Sequence, residues 1–299
     1  MSEQQPAPPP PTIDPAGIYE VASGVWVIPD DGVPLVPNVG VILGEDAALV
    51  VDTGMGPANG TAVLEAAREK AGGRRLLLTL THFHPEHGYG AQAFAGASEL
   101  QVNATQADEL RAKGDGYLEM FRTFGPAVTE ALVDVELVEP ELTYTGSTTL
   151  DLGGRRVRLW ETGLAHTAGD QAILVEDARV LFAGDLVEAG GFPIFPYFPP
   201  DDVDVDGSAW IRVLAGLEEE APRLVVPGHG PVGDASLIAT QRAFMERMRE
   251  ETFALADDGV TADDTVARLE PDLQALHPDW VQPEWVGFGI RCFHAERTG

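Results

Sequence analysis

Seven consecutive residues, Thr81-His82-Phe83-His84-Pro85-Glu86-His87, constrain this chain more than any other stretch. Three of its seven histidines and one carboxylate are packed into that short segment. They follow the apolar run Leu76-Leu77-Leu78-Thr79-Leu80, which reads as a buried strand ending at Thr81. A strand holds its last residues stiffly, and the turn after it lets neighbouring side chains converge. Imidazole nitrogens and a carboxylate oxygen suit a borderline divalent metal, zinc first. A polar loop with chance histidines is the plainer alternative, but it would place nearly half of the chain's histidines in one turn for no reason. The remaining ligands must then come from elsewhere in the fold.

Read from its start, the chain opens with a Pro-rich, polar stretch over residues 1–16, expected to be a disordered or polyproline tail. Tyr19 to Ile28 alternates like a strand, Val39 to Leu43 is another, and Ala48 to Val51 a third, ending at Asp52-Thr53-Gly54. A helix over about residues 59–70, closed by Gly72-Gly73, leads into the strand that delivers the histidines. Residues 104–133 carry helical periodicity, with Tyr117, Phe121 and Phe124 expected in the core or, as the sharper reading, on a pocket wall. A second half begins near Leu142, with a hairpin around Gly153-Gly154.

An internal repeat then emerges. Val41 to Asp52 reads as strand, Glu-Asp turn, strand and terminal aspartate, and Ala172 to Asp185 does the same. In each half a helical stretch follows, then an apolar strand running into histidine: Leu76–Thr81 before His82, and Leu224-Val225-Val226 before Pro227-Gly228-His229. Two such units would pack sheet to sheet with helices outside; two coincident hairpins are the alternative. Between Asp185 and His229 a loop holds Phe192, Phe195, Tyr197 and Phe198 among prolines, too proline-rich for a helix or central strand. It is expected either to face a substrate as a flap or to tuck onto the core. Helices over about 234–256 and 262–276 and an aromatic tail complete the chain. His277 and His294 lie in that region and are assigned structural or solvent-facing roles.

The candidate metal ligands are therefore His82, His84, Glu86, His87, His166, Asp185 and His229. His166 lies in a Gly-rich turn and His229 between Gly228 and Gly230, where small neighbours let the backbone turn sharply. Seven ligands exceed one tetrahedral ion and fit two ions sharing a carboxylate and a water.

The motifs His82-x-His84-x-Glu86-His87, His166, Asp185 and Pro-Gly-His229, together with Val51-Asp52-Thr53-Gly54, resemble the metallo-β-lactamase superfamily over about residues 18–235, in the same order. The resemblance implies an α/β fold, a four-layer αββα sandwich with the metals at one edge of its two sheets. Residues 17–235 would form that domain, and residues 236–299 a C-terminal helical extension packed on it. It further implies that His82, His84 and His166 hold a first metal, that Glu86, His87 and His229 hold a second, and that Asp185 bridges them. Asp52 would support a ligand histidine, although a turn-forming role before Gly54 is also open to it. The catalytic set is then Asp185, Glu86 and Asp52, with two divalent ions, zinc first. Iron or manganese, or a single ion, are the alternatives. Glu86 departs from the family, which has aspartate there. One extra methylene moves the carboxylate by about 1.5 Å, and metal–oxygen distances tolerate only about 0.2 Å.

The expected activity is hydrolysis, by metal-bound hydroxide, of an ester, thioester, lactone or amide bond in a small molecule with an apolar or aromatic part. A mononuclear iron oxidoreductase of the same fold, dioxygenase-like, is the alternative; seven filled ligand positions favour the hydrolase. Composition narrows partners. Nineteen Lys+Arg against 48 Asp+Glu give a net charge of -29, which opposes nucleic acid and anionic membranes. This is read as a solubility adaptation rather than a face for a cationic partner. No apolar run approaches the ~18 residues of a membrane span, and the N-terminus lacks the basic and apolar regions of a signal peptide. One cysteine, Cys292, excludes an internal disulfide. A cytoplasmic location and a monomer or homodimer are expected.

Overall fold

A computed structural model describes residues 9–299. The first sheet has seven strands in sequential order: β1 (Tyr19–Ala22), β2 (Val25–Ile28), β3 (Val39–Leu43), β4 (Ala47–Val51), β5 (Arg75–Thr79), β6 (Ser98–Asn103) and β7 (Leu142–Tyr144). The second has five: β8 (Ser147–Asp151), β9 (Arg156–Glu161), β10 (Gln171–Val175), β11 (Val180–Gly184) and β12 (Leu224–Pro227), ordered β12-β11-β10-β9-β8. Between and after the strands run α1 (Gly56–Ala71), α2 (Pro85–Gly88), α3 (Ala104–Arg122), α4 (Pro126–Ala131), α5 (Gly207–Glu219), α6 (Ser236–Asp257), α7 (Ala262–Gln274) and α8 (Trp285–Thr298).

The two sheets face one another. Val27, Ile42, Leu49 and Val51 of the first meet Val157, Leu159, Ile173 and Phe182 of the second in one apolar layer. The opposite face of the first sheet packs Val41, Val50 and Leu78 against Val63 and Ala67 of α1. The opposite face of the second packs Leu174 and Leu181 against Trp210 of α5, Met245 of α6 and Ile290 of α8. Strands β4, β10 and β11 are buried along their whole length, which is why they read as unbroken apolar runs rather than alternating ones. The architecture is the four-layer αββα sandwich.

The repeat is realised in three dimensions. Strands β3 and β4 pair antiparallel, α1 follows, and β5 returns parallel to β4. Strands β10 and β11 pair antiparallel, α5 follows, and β12 returns parallel to β11. Both crossover units therefore end their last strand at the same edge of the sandwich, with histidines just beyond.

Four local readings change. The helical period over 104–133 is broken, because Gly125 at φ 131° and Pro126 end one helix and start another. Leu142 does not open the second half: β7 pairs parallel with β6 and completes the first sheet. The aromatic tail after Trp280 contains a helix, α8, whose Val286, Ile290 and Phe293 recur at helical spacing and are buried. Glycines and aromatics at its other positions masked that period. Residues 1–8 of the expected disordered tail lie outside the described residues, but the chain from Pro11 is docked. The Asn59 amide donates to the Pro11 carbonyl at 2.7 Å and accepts from the Ile13 N–H at 2.9 Å, and Ile13 is buried.

Asn59→Ala removes that clamp and leaves the Ile13 amide without its acceptor. It is expected to cost about 1–3 kcal/mol and to expose the chain near Ile13 to limited proteolysis. A variant as resistant as the parent would show that the docking does not depend on Asn59.

Candidate metal centre

The structure brings all seven sequence-selected ligands to one edge of the sandwich, in two groups: His82, His84 and His166, then Glu86, His87, Asp185 and His229. His82 and His84 leave the end of β5. Pro85 starts the short α2, which places Glu86 and His87 in its first turn. Asp185 follows β11 and His229 follows β12. The Nδ1 of His84 lies 3.1 Å from Nε2 of His166, close to the ~3.3 Å edge of a tetrahedron of nitrogens about one zinc. Asp185 stands between the groups. Its Oδ2 is 3.9 Å from His82 Nε2 and 3.7 Å from His166 Nε2, while its Oδ1 is 3.0 Å from His87 Nε2 and 3.8 Å from His229 Nε2.

Metal ligation is tested by what these atoms lack. Buried polar atoms in folded proteins are nearly always hydrogen-bonded. Here His82 Nε2, His87 Nε2, Glu86 Oε2 and both carboxylate oxygens of Asp185 are buried without a hydrogen-bond partner. His87 Nε2 and Asp185 Oδ1 are within reach of each other but wrongly directed to bond. A cluster of lone pairs aimed at shared empty points, built from nitrogen and oxygen without thiolate, fits divalent zinc, iron or manganese. Glu86 belongs to this cluster, so its extra methylene still lets the carboxylate reach the second group.

The outer nitrogens fix the rings. His87 Nδ1 lies 2.9 Å from Asp52 Oδ2, His166 Nδ1 2.9 Å from the Ile194 carbonyl, and His229 Nδ1 2.8 Å from the Val36 carbonyl. Each ring thereby presents Nε2 inward. Asp52 also accepts from Thr81, from the backbone N–H at 2.7 Å and from the hydroxyl at 2.9 Å. Two glycines make room: a Cβ at Gly228 would collide with Asp185 Oδ1, and one at Gly184, φ 52°, would strike Thr81.

Charge states follow. Burial, reinforced by His87, holds His82 well below the usual imidazole range, and burial with His166 does the same for His84. Burial also lowers His166 and His229, against the pull of Asp185. Burial opposes protonation of His87 too, but Asp185 and Asp52 on either side override it and hold it well above that range. Burial would raise Asp185, yet His87, His229 and His82 hold it well below the carboxylate range. Burial pushes Glu86 up to about 7. These shifts favour neutral His82, His84, His166 and His229 around an ionised Asp185, and a cation bound there would compete with the proton that Asp185 and Asp52 favour on His87.

An apolar cleft opens over His84, Glu86 and His229. The aromatic loop contributes through alternate residues. Ile194, Pro196 and Phe198 line the cleft, whereas Phe192 packs on Phe244 and Trp280, and Phe195 on Trp210 and Phe293. Tyr197 also packs against that core. Of the four aromatics expected at a substrate-facing flap, Phe198 lines the cleft, and the expectation is corrected for Phe192, Phe195 and Tyr197, which pack on the core. From Ile194 to Phe198 successive side chains face opposite ways, and only one face meets the cleft; Phe192 lies before that stretch. Tyr117, Phe121 and Phe124 serve on the wall, and Tyr117 stacks on His84 with centroids 4.9 Å apart at 21°. Trp285 and Leu35 complete it; neither carried a sequence signal, because each comes from a distant segment. His277 stacks on Trp280, and His294 Nε2 lies 2.8 Å from the Val260 carbonyl, both away from the centre.

Residues 32–229 match the family model described as the metallo-beta-lactamase superfamily. The chain belongs to that superfamily. It is 25% identical over 208 residues to the human acyl-coenzyme A thioesterase MBLAC2, covering 64% of this chain and 72% of that protein. It is 29% identical over 173 residues to the hydroxyacylglutathione hydrolase of Acidiphilium cryptum, covering 58% and 57% respectively. Among solved structures, a metallo-beta-lactamase from Pontibacter korlensis superposes with a TM-score of 0.61 at 18% identity, covering 77% of this chain and 98% of that one, a likeness of fold. Metal-dependent hydrolysis is the activity class that the family and these relatives support. Among the described residues no helix is long and apolar enough to cross a membrane.

Asp52→Ala leaves His87 Nδ1 and the Thr81 amide without their acceptor. Metal affinity, read by competition with a chromophoric chelator, is expected to fall about 10–100-fold while circular dichroism stays native. Unchanged affinity would remove Asp52 from the centre.

Proposed function

We propose that this protein is a two-metal hydrolase of small esters or thioesters that carry no anionic group and have an apolar acyl group. The observation that carries this reading is the position of Asp185, one carboxylate oxygen toward each ligand group. His82, His84 and His166 would hold one ion, Glu86, His87 and His229 the other, and Asp185 both. When bound, such ions would supply a water acidified toward neutral pH and an electrophilic grip on the carbonyl oxygen. The water oxygen ends on the acyl carbon, the C–S or C–O bond breaks, and the thiol or alcohol leaves with a proton. The residues of the chain do the rest. Tyr117 holds the His84 ring in plane, and Phe121, Ile194 and Phe198 enclose the acyl group and exclude water.

The thioester preference draws on the relatives, one named for acyl-coenzyme A and one for hydroxyacylglutathione, both acyl conjugates of thiols. The exclusion of anionic substrates draws on this chain. Among the described residues no Lys or Arg lines the cleft, and the net charge is -29. A carrier with several phosphates would be repelled.

Elemental analysis is expected to find two divalent ions per chain and chelation to abolish turnover. Hexanoyl-N-acetylcysteamine, an uncharged thioester, is expected to turn over faster than hexanoyl-coenzyme A. Full activity with one ion, or the reverse substrate order, would overturn the reading. Phe198→Ala is expected to raise KM for the hexanoyl thioester severalfold. Phe195→Ala, a core truncation, is expected to cost stability by about 3–5 kcal/mol, read by denaturant melts.

A further inference from the structure

A second, wider cleft shares His229 and Gln282 with the apolar one. It adds carboxylates to a largely apolar wall. Asp30, Asp31 and Glu188 line it beside Tyr19 and Val281, and among the described residues no Lys or Arg does. Nor does any of the three carboxylates form an ion pair with Lys or Arg among the described residues. Glu188 is only 5% exposed, and its Oε1 has no hydrogen-bond partner. Its backbone is held in place by Gln241, whose Oε1 accepts from the Glu188 N–H at 2.7 Å. Asp30 accepts from the Gly230 N–H at 2.8 Å, so it is fixed against the loop that carries His229. Asp31 sits in a left-handed turn at φ 51° and is exposed.

Resting on the hydrolase reading, we propose that this cleft receives an ammonium-bearing leaving group, on the far side of the scissile bond from the apolar acyl chain. His229 and Gln282 line both clefts, so a bond cleaved beside His229 has one substituent facing each. Burial, reinforced by Asp185, holds the Glu188 carboxyl well above its usual range; an arriving cation offsets that and gives its unpartnered Oε1 a counter-charge. Tyr19 adds an aromatic ring of the kind that attracts alkylated cations, and Val281 and Pro34 add apolar surface for the alkyl substituents. A divalent metal fits this cleft less well. Among the described residues its carboxylates do not converge within ligand spacing, whereas the centre's residues do. Spread carboxylates around an apolar and aromatic wall suit a bulky, diffuse cation.

The test compares two substrates of one shape. Butyrylthiocholine carries a quaternary ammonium; S-(3,3-dimethylbutyl) thiobutyrate replaces that nitrogen with carbon. With the metal-loaded full chain at low salt, kcat/KM is expected to favour the cation by about tenfold, as expected for one partly screened charge pair. The preference is expected to shrink at about 0.5 M salt, and in Asp31→Asn and Glu188→Gln. Asparagine tolerates the left-handed turn at position 31, so that variant keeps the loop. Choline chloride binding, followed by saturation-transfer NMR, reads the cleft without turnover and is expected to weaken in both variants. Equal kcat/KM for the two thioesters, or no choline binding, overturns the cation cleft. Hydrolysis of the neutral thioester alone then leaves the hydrolase reading standing. Choline binding without turnover of either thioester keeps the cleft and overturns the hydrolase reading for these bonds.

Discussion

The centre depends on His87 standing between two buried aspartates, bonded to one and close to the other. Its Nδ1 meets Asp52 at 2.9 Å and its Nε2 meets Asp185 at 3.0 Å. The two aspartates are the terminal residues of the two repeated hairpins, so one imidazole joins the halves of the sandwich. Both carboxylates are buried, where their attraction for the ring is screened little. That geometry needs the strands to finish at the same edge and the backbones to come close. Gly184 and Gly228 permit the approach, since any side chain there would occupy the space of Thr81 or Asp185.

Around that fixed point the environment divides by chemistry. One side is an apolar cleft walled by α3, the aromatic loop and Trp285. The other is a carboxylate-lined cleft anchored by Asp30 and Glu188. The C-terminal helices serve both, because Gln282 precedes α8 and lines each cleft, while Val286, Ile290 and Phe293 fasten that helix to the second sheet's outer layer. The aromatic loop is likewise dual: Phe192 and Phe195 anchor it in the core so that Ile194 and Phe198 can stand over the ligands.

The limits of reading a sequence are visible in particular residues. Phe195 and Phe198 have the same side chain three positions apart in the same loop, and only the path of the backbone says which one is buried. Tyr117 carries a helical period that a core residue would also carry; its stacking on His84 requires α3 to cross β5's end, a matter of packing between layers. Pro11 and Ile13 lie in a composition that signals disorder, and a single distant amide, Asn59, docks them.

The sequence by itself determined the chemistry of the centre and the order of its parts: the histidine turn, the paired Glu-Asp hairpins ending in Asp52 and Asp185, and the glycine-flanked His166 and His229. These are local signals, written in residue types, in the unbroken apolar runs of buried strands and in the 3.6-residue period of helices. Only the tertiary structure decided that Glu86 reaches the second ligand group, that β7 joins the first sheet, and which aromatics wall the cleft. Those outcomes depend on distances between segments far apart in the chain, which are set by how the layers pack rather than by any neighbour in sequence.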